Sequence, residues 1–137
     1  MGFVLSASDE RHIANLHPDL AKVVRRAAAA WPYKDQVFFI TCSLRTLAEQ
    51  KKLLANGASK TMRSRHLPGA KTGKAHAVDL AVKLNGKIKW DWPLYVQMAK
   101  VLKDAAVAVK VPVEWGGDWR NFRDGPHYQL PWAKYPG

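Results

Sequence analysis

Asn85 and Gly86 stand between two short runs rich in apolar and β-forming residues, 76–83 and 87–90. A two-residue loop between strands of right-handed twist needs positive φ at both positions, which asparagine and glycine tolerate best. The dipeptide therefore predicts a type I′ hairpin, and with it an antiparallel sheet. Elsewhere the apolar spacing is helical. Leu20, Val23, Val24, Ala27 and Trp31 recur on one face after His17-Pro18-Asp19, and Pro32 ends the run. Thr46 and Glu49 form a capping box and Asn56-Gly57 a stop, predicting a helix over 47–56. Asp91 and Pro93 open a third helix whose face is Leu94, Met98, Val101, Leu102, Ala105 and Val109. Residues 7–15 suit a short helical turn. Runs at 36–41, 111–115 and 127–130 read as further strands. Helices on one side of a small antiparallel sheet make the fold class α+β.

A chain of 137 residues with 47% apolar content is the size of one domain with a core of its own. A single domain over 1–137 is expected, with a loosely structured tail after about residue 131, where Pro131, Pro136 and Gly137 cluster. The one cysteine, Cys42, excludes an internal disulfide and any multi-cysteine metal framework, so a metal would be held by histidine and carboxylate. A formal charge of +11 implies attraction to a polyanion: nucleic acid, an anionic membrane or an anionic wall polymer. Residues 1–10 lack the basic and apolar segments of a signal peptide, and no apolar run is long enough to span a bilayer. The expectation is a chain made in a cytoplasm without an export signal of its own.

The chemistry-bearing residues centre on 64–80. Lysines and arginines run through 51–74 with no carboxylate between Glu49 and Asp79, so Asp79 arrives alone at the end of a basic, glycine-punctuated loop. His66 on that loop, Asp79 on the following strand and His127 far downstream would supply three N/O ligands, the count of a catalytic zinc site with one open position. Side chains alternate along a strand, so His76 and Asp79 point to opposite faces, which weighs against His76 as a co-ligand. By the same alternation Asp79 lies away from the face of Val78 and Leu80. Asp124 precedes His127 by three residues across a rigid Gly-Pro turn and could act as a general base. Arg45, at a strand-to-helix junction, offers fixed donors for a carboxylate or an oxyanion. Taken singly, each of these residues is more often a solvated group, a turn former or one half of a surface ion pair.

Four blocks taken in order change those odds. Ser64-Arg65-His66, Ala77-Val78-Asp79, Trp115-Gly116-Gly117-Asp118-Trp119 and Asp124-Gly125-Pro126-His127 resemble the phage L-alanyl-D-glutamate peptidases, endolysins of the zinc D-alanyl-D-alanine carboxypeptidase and VanY-like superfamily. The resemblance runs from about Arg45 to His127, and the Pro18-Asp19-Leu20 helix start is also endolysin-like. It implies zinc (Zn2+) on His66, Asp79 and His127, Asp124 as catalytic carboxylate, Arg45 as the substrate-polarising arginine, and Ser64 beside the substrate. The implied fold is the hedgehog/D,D-peptidase-like single domain. One departure stands out: the compact family pattern, Ser-x-His-x-x-Gly-x-Ala-x-Asp, is stretched here, and the excess at 70–75 reads as a loop inserted at the mouth of the site.

The resemblance further implies a monomeric zinc metallopeptidase of bacterial peptidoglycan, cutting the L-Ala-D-Glu bond of the stem peptide. It would be held in the host cytoplasm until release and then act in the periplasm or cell wall. Electrostatic attraction to anionic wall or outer-membrane polymers fits the charge. A D-alanyl-D-alanine carboxypeptidase is the alternative enzyme, with Arg65, Lys71 or Lys74 available to hold a terminal carboxylate. A basic nucleic-acid-binding module is the alternative of another class, but no groove-reading motif is present and no nucleic-acid partner is expected.

Overall fold

A computed structural model describes residues 2–57, 64–121 and 123–136. Among these the chain forms helices α1 (Ala7–Ile13), α2 (Pro18–Ala29), α3 (Leu47–Ala55) and α4 (Trp92–Val109). The strands are β1 (Gln36–Cys42), β2 (Ala77–Leu84), β3 (Lys87–Lys89), β4 (Glu114–Trp115) and β5 (His127–Gln129). Local chemistry explains the helix starts. The Ser6 hydroxyl accepts from the Asp9 amide while Asp9 reaches back to the Ser6 amide, and Thr46 and Glu49 repeat that reciprocal box at α3. Proline opens α2, where His17 Nδ1 accepts from the Asp19 amide.

The sheet runs β1-β2-β5-β4, with β3 also paired to β2, and every pairing is antiparallel. Asn85 and Gly86 turn the β2–β3 hairpin at φ 52° and 81°, the backbone that this dipeptide predicts. Val78, Leu80 and Val82 share one face of β2 and join the core with Leu20, Val23, Val24 and Ala27 of α2 and Met98, Leu102 and Ala105 of α4. Each fully buried aliphatic side chain contributes about 1.5–3 kcal/mol, so this face holds the helices to the sheet. The same core includes Trp31 and Phe38, and Phe3 packs against it in edge-to-face contact with both rings.

The last stretch before the site is less strand-like than its composition suggests. The run at 111–115 is extended only at Glu114–Trp115. Lys110 caps α4 in the left-handed conformation at φ 60°, and the Val111 amide returns to the Ala106 carbonyl. That closing bond, and a proline at 112 with no amide hydrogen, take the first residues out of the ladder.

The tail is pinned. Tyr135 donates its hydroxyl to Asp19 (2.7 Å), and the buried Arg65 guanidinium donates to the carbonyls of Leu130 and Tyr135 while lying over the Trp132 ring. Segment 70–75 folds back onto the α1–α2 connection: Lys74 Nζ donates to the Ala14 carbonyl (2.7 Å) and the Ala75 amide to the Asn15 carbonyl (2.9 Å). Within the basic stretch at 51–74, residues 58–63 lie outside the described residues.

Candidate active site

Strand register assembles the site. Asp79 on β2 is the cross-strand partner of His127 on β5, and a bulge between Ile40 and Cys42 makes Cys42 its partner on β1. Asp79 points to the face opposite Val78 and Leu80, as alternation requires. His66 enters from the loop and is held by its backbone. Its carbonyl accepts from the Arg45 amide (2.8 Å), and its amide donates to the Ser64 hydroxyl (3.1 Å).

Both imidazoles converge on a single oxygen. Asp79 Oδ1 lies 3.2 Å from His66 Nε2 and 3.1 Å from His127 Nδ1, with the two rings 5.2 Å apart. The outer nitrogens are occupied: His66 Nδ1 donates to the Ser43 carbonyl (2.7 Å), and His127 Nε2 donates to Gln129 Oε1 (2.8 Å). Burial pushes Asp79 toward the neutral acid, but the hydrogen bonds from His127 and His66 outweigh it and hold its carboxyl well below the usual range. Burial likewise disfavours the His66 imidazolium, yet the bonds to Asp79 and Cys42 carry its pKa up to about 10. A buried carboxylate facing imidazole nitrogens, whose far sides are already used by the scaffold, is a place built for positive charge.

Asp124 sits on the turn before β5. Its amide donates to the Gly116 carbonyl (3.0 Å) and its carbonyl accepts from the His127 amide (3.2 Å). A side chain at Gly116 would collide with the Asp124 backbone, so glycine is required for this approach. Trp115 Nε1 donates to the Gly125 carbonyl (2.7 Å), and the Trp119 ring packs 5.1 Å from His127, so the Trp115-to-Trp119 block braces the turn. Burial and the Asp79 charge raise the Asp124 pKa, partly offset by His127, His66 and Arg45. Arg45 is held by Gln50 Oε1 (2.6 Å) and Cys42 Sγ (3.5 Å).

The structure thus brings His66, Asp79, His127 and Asp124 into one cluster. Cys42, His66 and Asp79 form one potential metal-binding group, and Asp79, Asp124 and His127 form another that shares its aspartate. His76 belongs to neither and packs against His17 instead. Arg65 and Lys74, two of the cations considered for holding a terminal carboxylate, are engaged by backbone carbonyls. Cys42, Ser43, Gln50, Gln129 and Glu114 touch the cluster or its neighbours without having been singled out for it. For Gln129 a signal existed, since it lies two residues beyond His127 on the same strand face.

Residues 1–129 match the family described as phage L-alanyl-D-glutamate peptidase. The chain is 30% identical to the L-alanyl-D-glutamate peptidase of Escherichia phage T5, over 100% of this chain and 96% of that protein. It is 35% identical to the L-alanyl-D-glutamate peptidase of Listeria phage A118, over 91% of this chain and 42% of the longer relative. Among solved structures, the Serratia marcescens L-Ala D-Glu endopeptidase ChiX superposes with a TM-score of 0.84 at 37% identity, covering 97% of this chain and 93% of that one.

Proposed function

Because the chain belongs to the phage L-alanyl-D-glutamate peptidase family, we propose that it is a peptidoglycan endopeptidase of the endolysin type, cutting the L-Ala-D-Glu bond of the stem peptide with zinc held by His66, Asp79 and His127. The observation that carries this reading is the convergence of His66 Nε2 and His127 Nδ1 on Asp79 Oδ1, at 3.2 and 3.1 Å. The donor set fits the metal: two imidazoles and a carboxylate are ordinary zinc ligands, and the outer His nitrogens are anchored as such ligands usually are.

Bound there, zinc supplies Lewis acidity and lowers the pKa of a water toward neutrality. The protein's own residues do the rest. Asp124, held beside Asp79 and His127 with its pKa raised by burial and by Asp79, takes a proton from the attacking water and returns it to the leaving amine. Arg45, fixed by Gln50, directs its guanidinium at the scissile carbonyl or a neighbouring substrate carboxylate. Ser64, which holds the His66 amide, flanks the bound peptide. One chain supplies all of these groups, so a monomer suffices. No helix among the described residues is long and apolar enough to cross a membrane. The protein would reach the wall after release through a membrane opened by another agent, drawn there by its charge of +11.

Mass spectrometry of fragments released from purified peptidoglycan tests the reading, with and without a chelator. Stem peptides bearing a new D-Glu N-terminus, absent under chelation, are expected. Free D-Ala as the only small product would replace the endopeptidase with a carboxypeptidase.

A further inference from the structure

We propose that Gln129 and Glu114 are positioning residues that hold the His127 ring by its Nε2–H, so that Nδ1 is the nitrogen turned toward Asp79. Glu114 and Gln129 are direct cross-strand partners on β4 and β5, and Gln129 and His127 share one face of β5. A carboxylate can only accept, so Glu114 Oε1, 3.0 Å from Gln129 Nε2, fixes which end of the amide turns toward it. Gln129 Oε1 is then left facing His127 Nε2 at 2.8 Å, and an amide oxygen can only accept as well. His127 Nε2 therefore donates to Gln129, and the ring is held with Nδ1 turned toward Asp79 Oδ1 at 3.1 Å. Three residues thus pass an orientation from the exposed Glu114 on β4 to the buried imidazole. Gln129 is 7% exposed, so water does not readily replace it.

His66 shows why the device is needed. A backbone carbonyl, that of Ser43, fixes its outer nitrogen, and a carbonyl cannot turn round. The outer nitrogen of His127 meets a side-chain amide, which presents either a donor or an acceptor unless something chooses. Glu114 makes that choice. The inference rests on the reading of His127 as a metal ligand; outer hydrogen-bond partners of such ligands are commonly worth about 10- to 100-fold in metal affinity.

The test uses nitrogen-15 NMR of the histidine rings in the metal-free protein, together with zinc affinity from chelator competition. The wild-type chain should show a His127 Nε2–H proton protected from exchange with water. Q129L should lose that protection and bind zinc about 10- to 100-fold more weakly. E114Q, at an exposed position, should do the same to a smaller degree, because the amide at 129 is then free to flip. The exchanged pair Q129E/E114Q should restore both protection and affinity, since a carboxylate at 129 accepts from His127 and the amide at 114 donates to it. Wild-type protection and zinc affinity in folded Q129L or in E114Q would overturn the relay. A wild-type chain that binds no zinc would instead contradict the metal reading itself, while its Nε2–H still reports on the relay.

Discussion

His66 and His76 enter the same loop and are both buried, at 2% and 5% exposure, yet their environments drive them in opposite directions. His66 has Asp79 on one nitrogen and the Ser43 carbonyl on the other, and its pKa is raised to about 10. His76 Nε2 has no partner among the described residues. Burial first, and then the charges of Arg65 and His17, lower its pKa to about 4. Burial penalises a charged imidazole in both places, and only the carboxylate reverses it. A candidate ligand is therefore recognised by what meets its nitrogens, not by depth. Strand parity alone already separates the two, because Asp79 faces away from the side on which His76 lies.

The largest way to break this contrast is Asp79→Ala. Hydrolysis should be abolished, and in the metal-free protein an NMR titration should show the His66 pKa falling from about 10 to below its ordinary value, as for His76. A His66 that still titrates high would place the source of its shift elsewhere. Next in size, Asp124→Asn should keep zinc yet lose about 10²- to 10⁴-fold in kcat, the usual span for a general base. Loss of metal from this variant would make Asp124 a ligand. Arg45→Lys removes the planar fork while keeping the charge, and should lower kcat/KM by about 1.5–3 kcal/mol equivalent, roughly 10- to 100-fold. Unchanged kinetics in a folded variant would return Arg45 to the surface.

The effect of His76 falls on stability and leaves the chemistry untouched. Its folded pKa of about 4 lies below the unfolded value near 6.5, so the unfolded chain binds more protons between those limits. The stability tied to neutral His76 is therefore present above pH ~6.5 and lost as pH falls toward ~4, by about 1.4 kcal/mol for each unit of separation. Urea unfolding at pH 7 and pH 4 should show a smaller drop for His76→Gln than for the parent chain. Equal drops would mean that His76 stays unprotonated in neither state or exposes itself early.

Much of the scaffold is legible because its signals are local. Asn85-Gly86 demands positive φ, and Thr46 with Glu49 satisfies two amides within one turn, so the hairpin and α3 follow from neighbours in sequence. The spacing of Leu20, Val23, Val24 and Ala27 likewise selects the buried face of α2. The supporting shell of the site is less legible because it depends on register. Glu114 meets Gln129 only through the β4–β5 pairing, and Cys42 comes opposite Asp79 only through a bulge in β1. Nor does a basic loop disclose which arginine is withdrawn into the protein. Arg65 is, because the Leu130 and Tyr135 carbonyls and the Trp132 ring close around it, and those partners lie at the far end of the chain.

The central claim is that His66, and not its buried neighbour His76, holds the metal. Elemental analysis of purified His66→Ala and His76→Ala, each loaded with zinc and dialysed beside the wild-type chain, tests it most directly. The account predicts one zinc per chain in the wild type, close to one in His76→Ala and none in His66→Ala. Full zinc in a folded His66→Ala would contradict it.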